Sequence, residues 1–408
     1  MNMLDGIRKT FKEESSYKLF LMSVLMAGLA YGLYKGVIDN YLAEVIQMGE
    51  IEKGINEFFR ELPGVLLVFI LAIFYNSTAE NLYKLGCLIG LVGMAMHALV
   101  PKSFVLITIC MLIFSTGDHI QLGMKSTITL EYSNEKRGGE ALGYMNALHS
   151  VGMVAGYIVV AVVFAIFAGK AQPFIPFFWI ATAIFAVVFV LSCKMKGTAK
   201  TDESKRRFYF NKKFTKYYML EVFYGARKQV FFTFGPFVLI LLYGASTAHI
   251  GLLYAISSIV CFIASPWVGK IIDKLGYKIV MISDTLILVI VCFFYGFAHH
   301  IFPKNVAYII CCINYILDSV ISLASMASNV YVQDIADSES EVKATISTGV
   351  SVNHLISIFI ALFGGVIWNK LGVETLFIVS AVLGLCNSAY AASIKGTVRP
   401  AWESWKKK

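Results

Sequence analysis

Ionisable side chains are the first thing this sequence is short of. Asp, Glu, Lys and Arg make up 15% of its 408 residues, against about a quarter in a soluble domain. So little charge excludes a water-soluble globule of this size. Strict polar–apolar alternation is missing as well, which excludes an outer-membrane barrel built from segments of about ten residues. The eight cysteines, Cys87, Cys110, Cys193, Cys261, Cys292, Cys311, Cys312 and Cys386, show neither a zinc spacing nor a secreted disulfide pattern. They read as small buried hydrophobes. No Gly-rich phosphate loop, nucleophile–base pair or metal cluster stands at the spacing an enzyme or an ATP-driven pump would need. The reading is a non-enzyme with no cofactor and no metal. No soluble module interrupts the chain, which argues against a sensor or receptor. A cleavable signal is missing too: Lys18 to Val45 is too long, carries charge and lacks a small-residue cleavage site.

What the chain has in abundance is hydrocarbon, with 58% of residues hydrophobic. Apolar runs of roughly 18 to 28 residues recur from end to end, the length a helix needs to cross a bilayer. They predict an all-α integral membrane protein with twelve transmembrane helices, over 18–45, 55–76, 85–101, 103–130, 141–168, 173–193, 215–243, 249–269, 279–298, 304–333, 343–368 and 374–394. The even-numbered loops and both tails hold most of the 35 Lys and Arg residues. The odd-numbered loops hold only Lys53, Lys102, Lys170, Lys304 and Lys370. That sorting predicts a multi-pass protein of the cell membrane with both termini cytoplasmic. It also explains the +9 formal charge without nucleic acid, for which the basic stretch Lys194 to Lys216 carries no motif. The polar stretch from Lys194 to Thr215 reads as a solvated connector. The expected domains are an N-terminal six-helix bundle over 1–193, a cytoplasmic linker over 194–214 and a C-terminal six-helix bundle over 215–408.

The halves resemble each other. Tyr31-Gly32-x-x-Lys35 in the first helix matches Tyr224-Gly225-x-x-Lys228 in the seventh. The same offset aligns Glu80, past helix two, with Asp273, past helix eight. Asp118 in helix four pairs with Asp318 in helix ten, and His149 in helix five with His354 in helix eleven. Duplicated halves are a recurring plan of secondary transporters.

Between helices eight and nine the chain reads Gly269-Lys-Ile-Ile-Asp273-Lys274-Leu-Gly276-Tyr-Lys278. This resembles the signature loop of the major facilitator superfamily. Gly269 permits close approach of a neighbouring helix, and Gly276 allows a sharp turn. Asp273 suits the amides at a facing helix N-terminus, and Lys274 and Lys278 suit the cytoplasmic face. The first-half copy, Asn76 to Leu85, keeps the acid at Glu80 but replaces both glycines and the basic residue. The resemblance implies the superfamily fold, with Glu80, Gly269, Asp273, Lys274, Gly276 and Lys278 as a conformational latch between inward- and outward-open states.

A charge within a span costs about 2.5–3.5 kcal/mol on insertion scales, so each one calls for a role. Lys35 shares a face of helix one with Tyr31, Gly28 and Asp39. Arg227 and Lys228 lie mid-way along helix seven, near Tyr224 and Glu221. Cations at matching depths in two related helices suit a divided anion site, which is similar in position to the organophosphate-transporting branch of the superfamily. The opposing reading is local neutralisation, of Lys35 by Asp39 at i,i+4 and of Lys228 by Glu221 through a neighbour. Asp118, Gln121 and Lys125 share a face of helix four. Asn314, Asp318, Ser322, Ser325 and Asn329 form a polar stripe on helix ten. The expected substrate-binding set is Tyr31, Lys35, Asp39, Asp118, Tyr224, Arg227, Lys228 and Asp318. Candidates for proton coupling are Asp39, His149, Glu221, Asp318 and His354. Glu57, Arg60 and Glu61 are expected to form ion pairs at the outer rim, and Gly152 and Gly156 to serve close helix packing.

Together these features predict a secondary active transporter that moves a small organic anion or zwitterion by alternating access, proton-coupled or exchanging. The alternative is a proton-driven multidrug or hydrophobic-cation exporter built on Asp39, Asp118 and Asp318. The expected partners are a small-molecule substrate, a coupling proton and membrane lipid, with the chain acting as a monomer.

Overall fold

The computed structural model describes residues 3–13, 15–74, 77–134, 137–196 and 209–394. The apolar runs are helices throughout. A short helix, Met3–Thr10, precedes α1 (Tyr17–Asn40), which continues as a π-helical stretch, Tyr41–Val45. Then follow α2 (Glu50–Ile73), α3 (Ala79–Leu99), α4 (Phe104–Tyr132), α5 (Gly138–Ile166) and α6 (Phe174–Cys193). After the central link come α7 (Thr215–Leu241), α8 (Thr247–Leu275), α9 (Tyr277–Ile301) and α10 (Lys304–Ile335). The last helical run, Glu339–Ala392, breaks at Gly372, where φ is 91°. It is therefore two helices, α11 (339–371) and α12 (373–392).

Among the described residues, nine segments are long and apolar enough to cross a membrane. Charged residues keep α2 and α7 below that measure, and dividing the last run brings the total to the expected twelve. Large apolar side chains face outward, among them Phe69 (67% exposed), Trp267 (66%) and Phe262 (62%). Such surfaces suit lipid rather than water.

The helices group into two compact units. Unit 1 comprises Met1–Gln47, Leu66–Lys205 and Ser246–Ala255; unit 2 comprises Met48–Val65, Arg206–Ala245 and Ile256–Lys408. In unit 1, α1 and α5 meet backbone to backbone. A Cβ on Gly28 would lie 2.2 Å from the His149 carbonyl oxygen, and one on Gly32 would lie 2.3 Å from that of Met153. From the other side, a Cβ on Gly152 would lie 2.3 Å from the Leu25 oxygen and one on Gly156 2.6 Å from the Leu33 nitrogen. Gly152 and Gly156 thus serve the close packing expected of them. In unit 2 the corresponding pair, α7 and α11, meets through side chains: Gly225 faces the Asn353 amide and Gly349 the Tyr217 ring.

Several boundaries differ from expectation. α2 begins earlier, at Glu50, so Lys53 is a helical residue rather than a loop residue; it is buried and paired with Glu57 at 2.9 Å. That i,i+4 pair neutralises the charges that disguised the first turns of the helix. α8 runs on to Leu275, because Lys-Ile-Ile-Asp-Lys-Leu contains nothing that stops a helix. Only Gly276, at φ 84°, turns the chain. α10 is not uniform: Ser322–Ser325 tightens to a 3-10 turn. The Tyr224 hydroxyl donates to the Ser322 carbonyl there at 2.6 Å, supplying that oxygen with a partner outside its own helix. Not every cysteine is buried, since Cys193 and Cys386 are exposed on helix surfaces.

Candidate functional site

In unit 1, Lys35 and Asp39 lie one turn apart on α1 and pair at 2.8 Å. Asp39 also accepts from the Tyr254 hydroxyl at 2.6 Å, and the Lys35 ammonium stands 5.6 Å from the centre of the Tyr254 ring. Tyr254 belongs to the first turns of α8, which complete unit 1. Nothing in the sequence singles it out among 21 tyrosines. Tyr31 packs its ring at 6.4 Å from Phe114 and 6.5 Å from His149. The aromatic face, rather than a polar contact, is what it shares with those two.

Lys125 on α4 is different in kind. It is 7% exposed, and no hydrogen bond or ion pair reaches its ammonium among the described residues. Asp118 and His149 lie within electrostatic reach of it. Asp118, two turns earlier on α4, is half-buried. The neighbouring histidine on that helix, His119, is held by Ser115 through both its hydroxyl and its carbonyl oxygen, at 3.1 and 2.9 Å. His97 shows what a packing histidine looks like in this unit: one ring nitrogen meets the Tyr34 hydroxyl at 3.1 Å and the other the Gly93 carbonyl at 2.8 Å.

Unit 2 distributes its charges across helices. Arg227 on α7 pairs with Asp284 on α9 at 2.7 Å, both side chains almost fully buried, and its guanidinium lies 4.8 Å from the centre of the Tyr224 ring. Asp284 escaped the sequence reading, although a lone carboxylate in an apolar run is the very signal that picks out the others. Glu221 makes no direct ion pair with Lys228 among the described residues, although Lys228 lies within electrostatic reach; its carboxylate accepts from Ser328 at 2.9 Å and from Asn353 at 3.3 Å. Lys228 is exposed and makes no ion pair among the described residues. Asp318 on α10 is 8% exposed, again without a hydrogen bond or ion pair among the described residues. Arg227, Lys228 and Asp284 are its charged neighbours. Leu220, Tyr224, Met281, Asp284, Ser325 and Ser328 are among the residues that line a small recess beside this cluster. The structure therefore brings Tyr224, Arg227 and Asp318 together in one unit, and Lys35 with Asp39 in the other.

His354 meets Glu61 at 2.7 Å. Glu61 also pairs with Arg60, which pairs in turn with Glu57 at 2.5 Å. The expected ion pairs of α2 thus form, in a chain that reaches α11. A Cβ on Gly54 would lie 2.5 Å from the Ala361 carbonyl oxygen, and one on Gly365 would lie 2.4 Å from that of Glu50, so α2 and α11 touch at backbone level.

The latch residues are less gathered than expected. Gly269 has nothing within 4 Å of an added Cβ, so no helix approaches closely there. Asp273 and Lys274 are exposed near the end of α8, and Asp273 accepts from no helix N-terminus among the described residues. Lys278 donates to the Ile394 carbonyl, just past the end of α12, at 2.9 Å. Glu80 lies in the first turn of α3, after its turn, whereas Asp273 lies before Gly276, so the two acids are not structural counterparts. Glu80 is buried and accepts from the Tyr132 hydroxyl at 3.1 Å. Asn76 and most of the central link lie outside the described residues.

Long apolar helices carrying buried charges, among the described residues, define a multi-pass membrane protein. The sequence matches the model of the Major Facilitator Superfamily over residues 20–351, and the chain belongs to that family. Solved structures agree in fold. The nucleoside transporter NupG superposes with a TM-score of 0.73 at 13% identity, covering 93% of this chain and 99% of that one. A POT family transporter in complex with 5-aminolevulinic acid gives 0.70 at 12% identity, with 93% and 96% covered. A bacterial homologue of the human lysosomal transporter Spinster gives 0.65 at 12%, with 93% and 97% covered. No curated protein sequence matches the chain.

Proposed function

We propose that the chain is a secondary active transporter that carries a small organic anion or zwitterion by alternating access, coupled to protons or to exchange, with both termini in the cytoplasm. The observation that supports this most is Lys125, a lysine 7% exposed inside a spanning helix and without an ion-pair partner among the described residues. A buried ammonium with no direct ion pair is unfavourable unless water or a ligand solvates it, and Asp118 acts on it only at a distance. Lys35 and Arg227, by contrast, each hold a carboxylate, at 2.8 and 2.7 Å. In this reading Lys125 receives the anionic group, and the Lys35–Asp39 pair is available for proton exchange.

The test begins with a thermal-shift screen of the purified protein against carboxylates, phosphates, amino acids, sugars and cationic dyes at two pH values. Hits then enter uptake assays in proteoliposomes. Lys125→Gln is expected to lower uptake of the best anionic hit at least tenfold, with unchanged folding. Full uptake by that variant would overturn the anion reading. Asp318, 8% exposed and without a hydrogen bond or ion pair among the described residues, favours a second reading, export of a hydrophobic cation. Stabilisation by dyes alone, lost in Asp318→Asn, would select it.

A further inference from the structure

We propose that His299, His300 and Glu374 form a binding site for a divalent transition-metal cation of the zinc class, at the end of unit 2 where α9 stops and α12 starts. The two histidines occupy the last turn of α9, and Glu374 is the second residue of α12 after the break at Gly372. Their side chains converge on one atom. Glu374 Oε1 lies 2.5 Å from His300 Nε2 and 3.2 Å from His299 Nε2. The imidazole centroids are 3.9 Å apart, and the ligand atoms of the three residues all lie within 4.8 Å of one another. Nitrogen and oxygen atoms bound at about 2.0–2.1 Å to one tetrahedral ion stand about 3.3 Å apart, so small side-chain shifts bring these atoms around a single cation.

The backbone around the cluster sets it up. Gly296, one turn before His300, has the Glu374 Cα 3.3 Å from the position of an added Cβ, so a glycine there lets α12 approach closely. Gly372 leaves room for Glu374 Oε2, which would lie 2.4 Å from a Cβ at that position. With Oε2 folded back over the turn, Oε1 is the oxygen presented to both imidazoles. His299 Nδ1 is buried and without a partner among the described residues, so Nε2 is the nitrogen that faces other polar groups. His300 is exposed, which gives an ion a path from solvent. Two imidazoles and a carboxylate suit zinc and its neighbours rather than calcium or magnesium, and leave a fourth position for water. The carboxylate is 74 residues from His300, so spacing alone could not connect it with the His-His pair.

The test uses full-length protein purified without a histidine tag and stripped with chelator. Titration with zinc chloride, followed by calorimetry, is expected to give saturable binding of one ion. His300→Ala, which alters an exposed side chain, is expected to weaken that binding at least tenfold, and His299→Ala/His300→Ala to remove it. Cobalt(II) in place of zinc should give the visible absorption of a tetrahedral nitrogen–oxygen site, lost in Glu374→Gln. If zinc shows no saturable binding, or His300→Ala binds it as tightly as the unaltered protein, the three residues form only an ion-pair cluster and the proposal is wrong.

Discussion

Unit 1 and unit 2 accommodate charge differently. In unit 1, α1 and α5 touch along four glycines. A pair of charges in this unit runs along one helix, Lys35 to Asp39, with Tyr254 as the outside donor. In unit 2, Asn353 and Tyr217 hold α7 and α11 apart. Glu221, Ser328 and Asn353 then form a hydrogen-bonded set beside α7, and Arg227 reaches across to Asp284 on α9. A glycine seam fixes helices by contact; a seam of side chains fixes them by partners that can be exchanged.

The sharpest way to break this contrast is to orphan a charge in each unit. Asp284→Asn leaves Arg227 buried without its carboxylate, and a buried pair broken in this way costs about 3–5 kcal/mol. Lys35→Met should cost clearly less, because Asp39 keeps the Tyr254 hydrogen bond and Lys35 is 15% exposed. Thermal unfolding in detergent measures both, and equal losses would erase the distinction. Next in size is the seam itself. Gly32→Leu drives a side chain into the Met153 backbone and should cost about 1–3 kcal/mol or more. Gly225→Ala meets only the Asn353 amide, which can turn aside, and should cost no more than about 1 kcal/mol. Equal destabilisation of the two would mean that α7 and α11 are as rigidly seated as α1 and α5. Ser328→Ala comes third, removing one hydrogen bond from Glu221 at about 1–2 kcal/mol by the same assay.

The smallest effect lies outside the spans, where unit 2 ties the end of the central link to the start of α11. Glu341 accepts first from the Asp337 amide at 2.7 Å, then from the Tyr209 hydroxyl at 2.5 Å, with Lys213 at 3.5 Å. These contacts hold its carboxyl below the usual carboxylate range, the Asp337 amide contributing most. A depressed folded pKa stabilises above the ordinary value of about 4.3 and stops doing so as pH falls through the depressed value. Glu341→Gln should therefore melt slightly lower than the unaltered protein at pH 7, with the two converging as pH falls through the depressed value. A difference that stays constant across that range would remove the carboxylate from the explanation.

Much of the architecture was legible because bilayer physics writes it plainly: most spans are long apolar runs, and Gly276 announces a turn. The start of α2 was harder to place, since Lys53 looks like a loop residue until its pairing with Glu57 is seen. The continuous Glu339–Ala392 run hides nothing, because two apolar segments with a glycine between them read as two helices from sequence as well. Site residues were legible one at a time, as charges in hydrocarbon. Their partners were not, because Arg227 and Asp284, or Asp39 and Tyr254, are joined only by tertiary packing. Spacing did reveal Lys35 with Asp39, since one helical turn separates them. It misled for Glu80 and Asp273, where equal offset along the chain fell on opposite sides of a turn.

The division of the units has a consequence for how the protein is made. Residues 48–65 belong to unit 2 and 246–255 to unit 1, so each unit is completed by a segment translated among the helices of the other. The early segment leaves the ribosome long before α7 and α11 exist to receive it. Its own Lys53–Glu57 pair can mask its charges while it waits in the bilayer. Neither half of the polypeptide, synthesised alone, holds every residue of either unit.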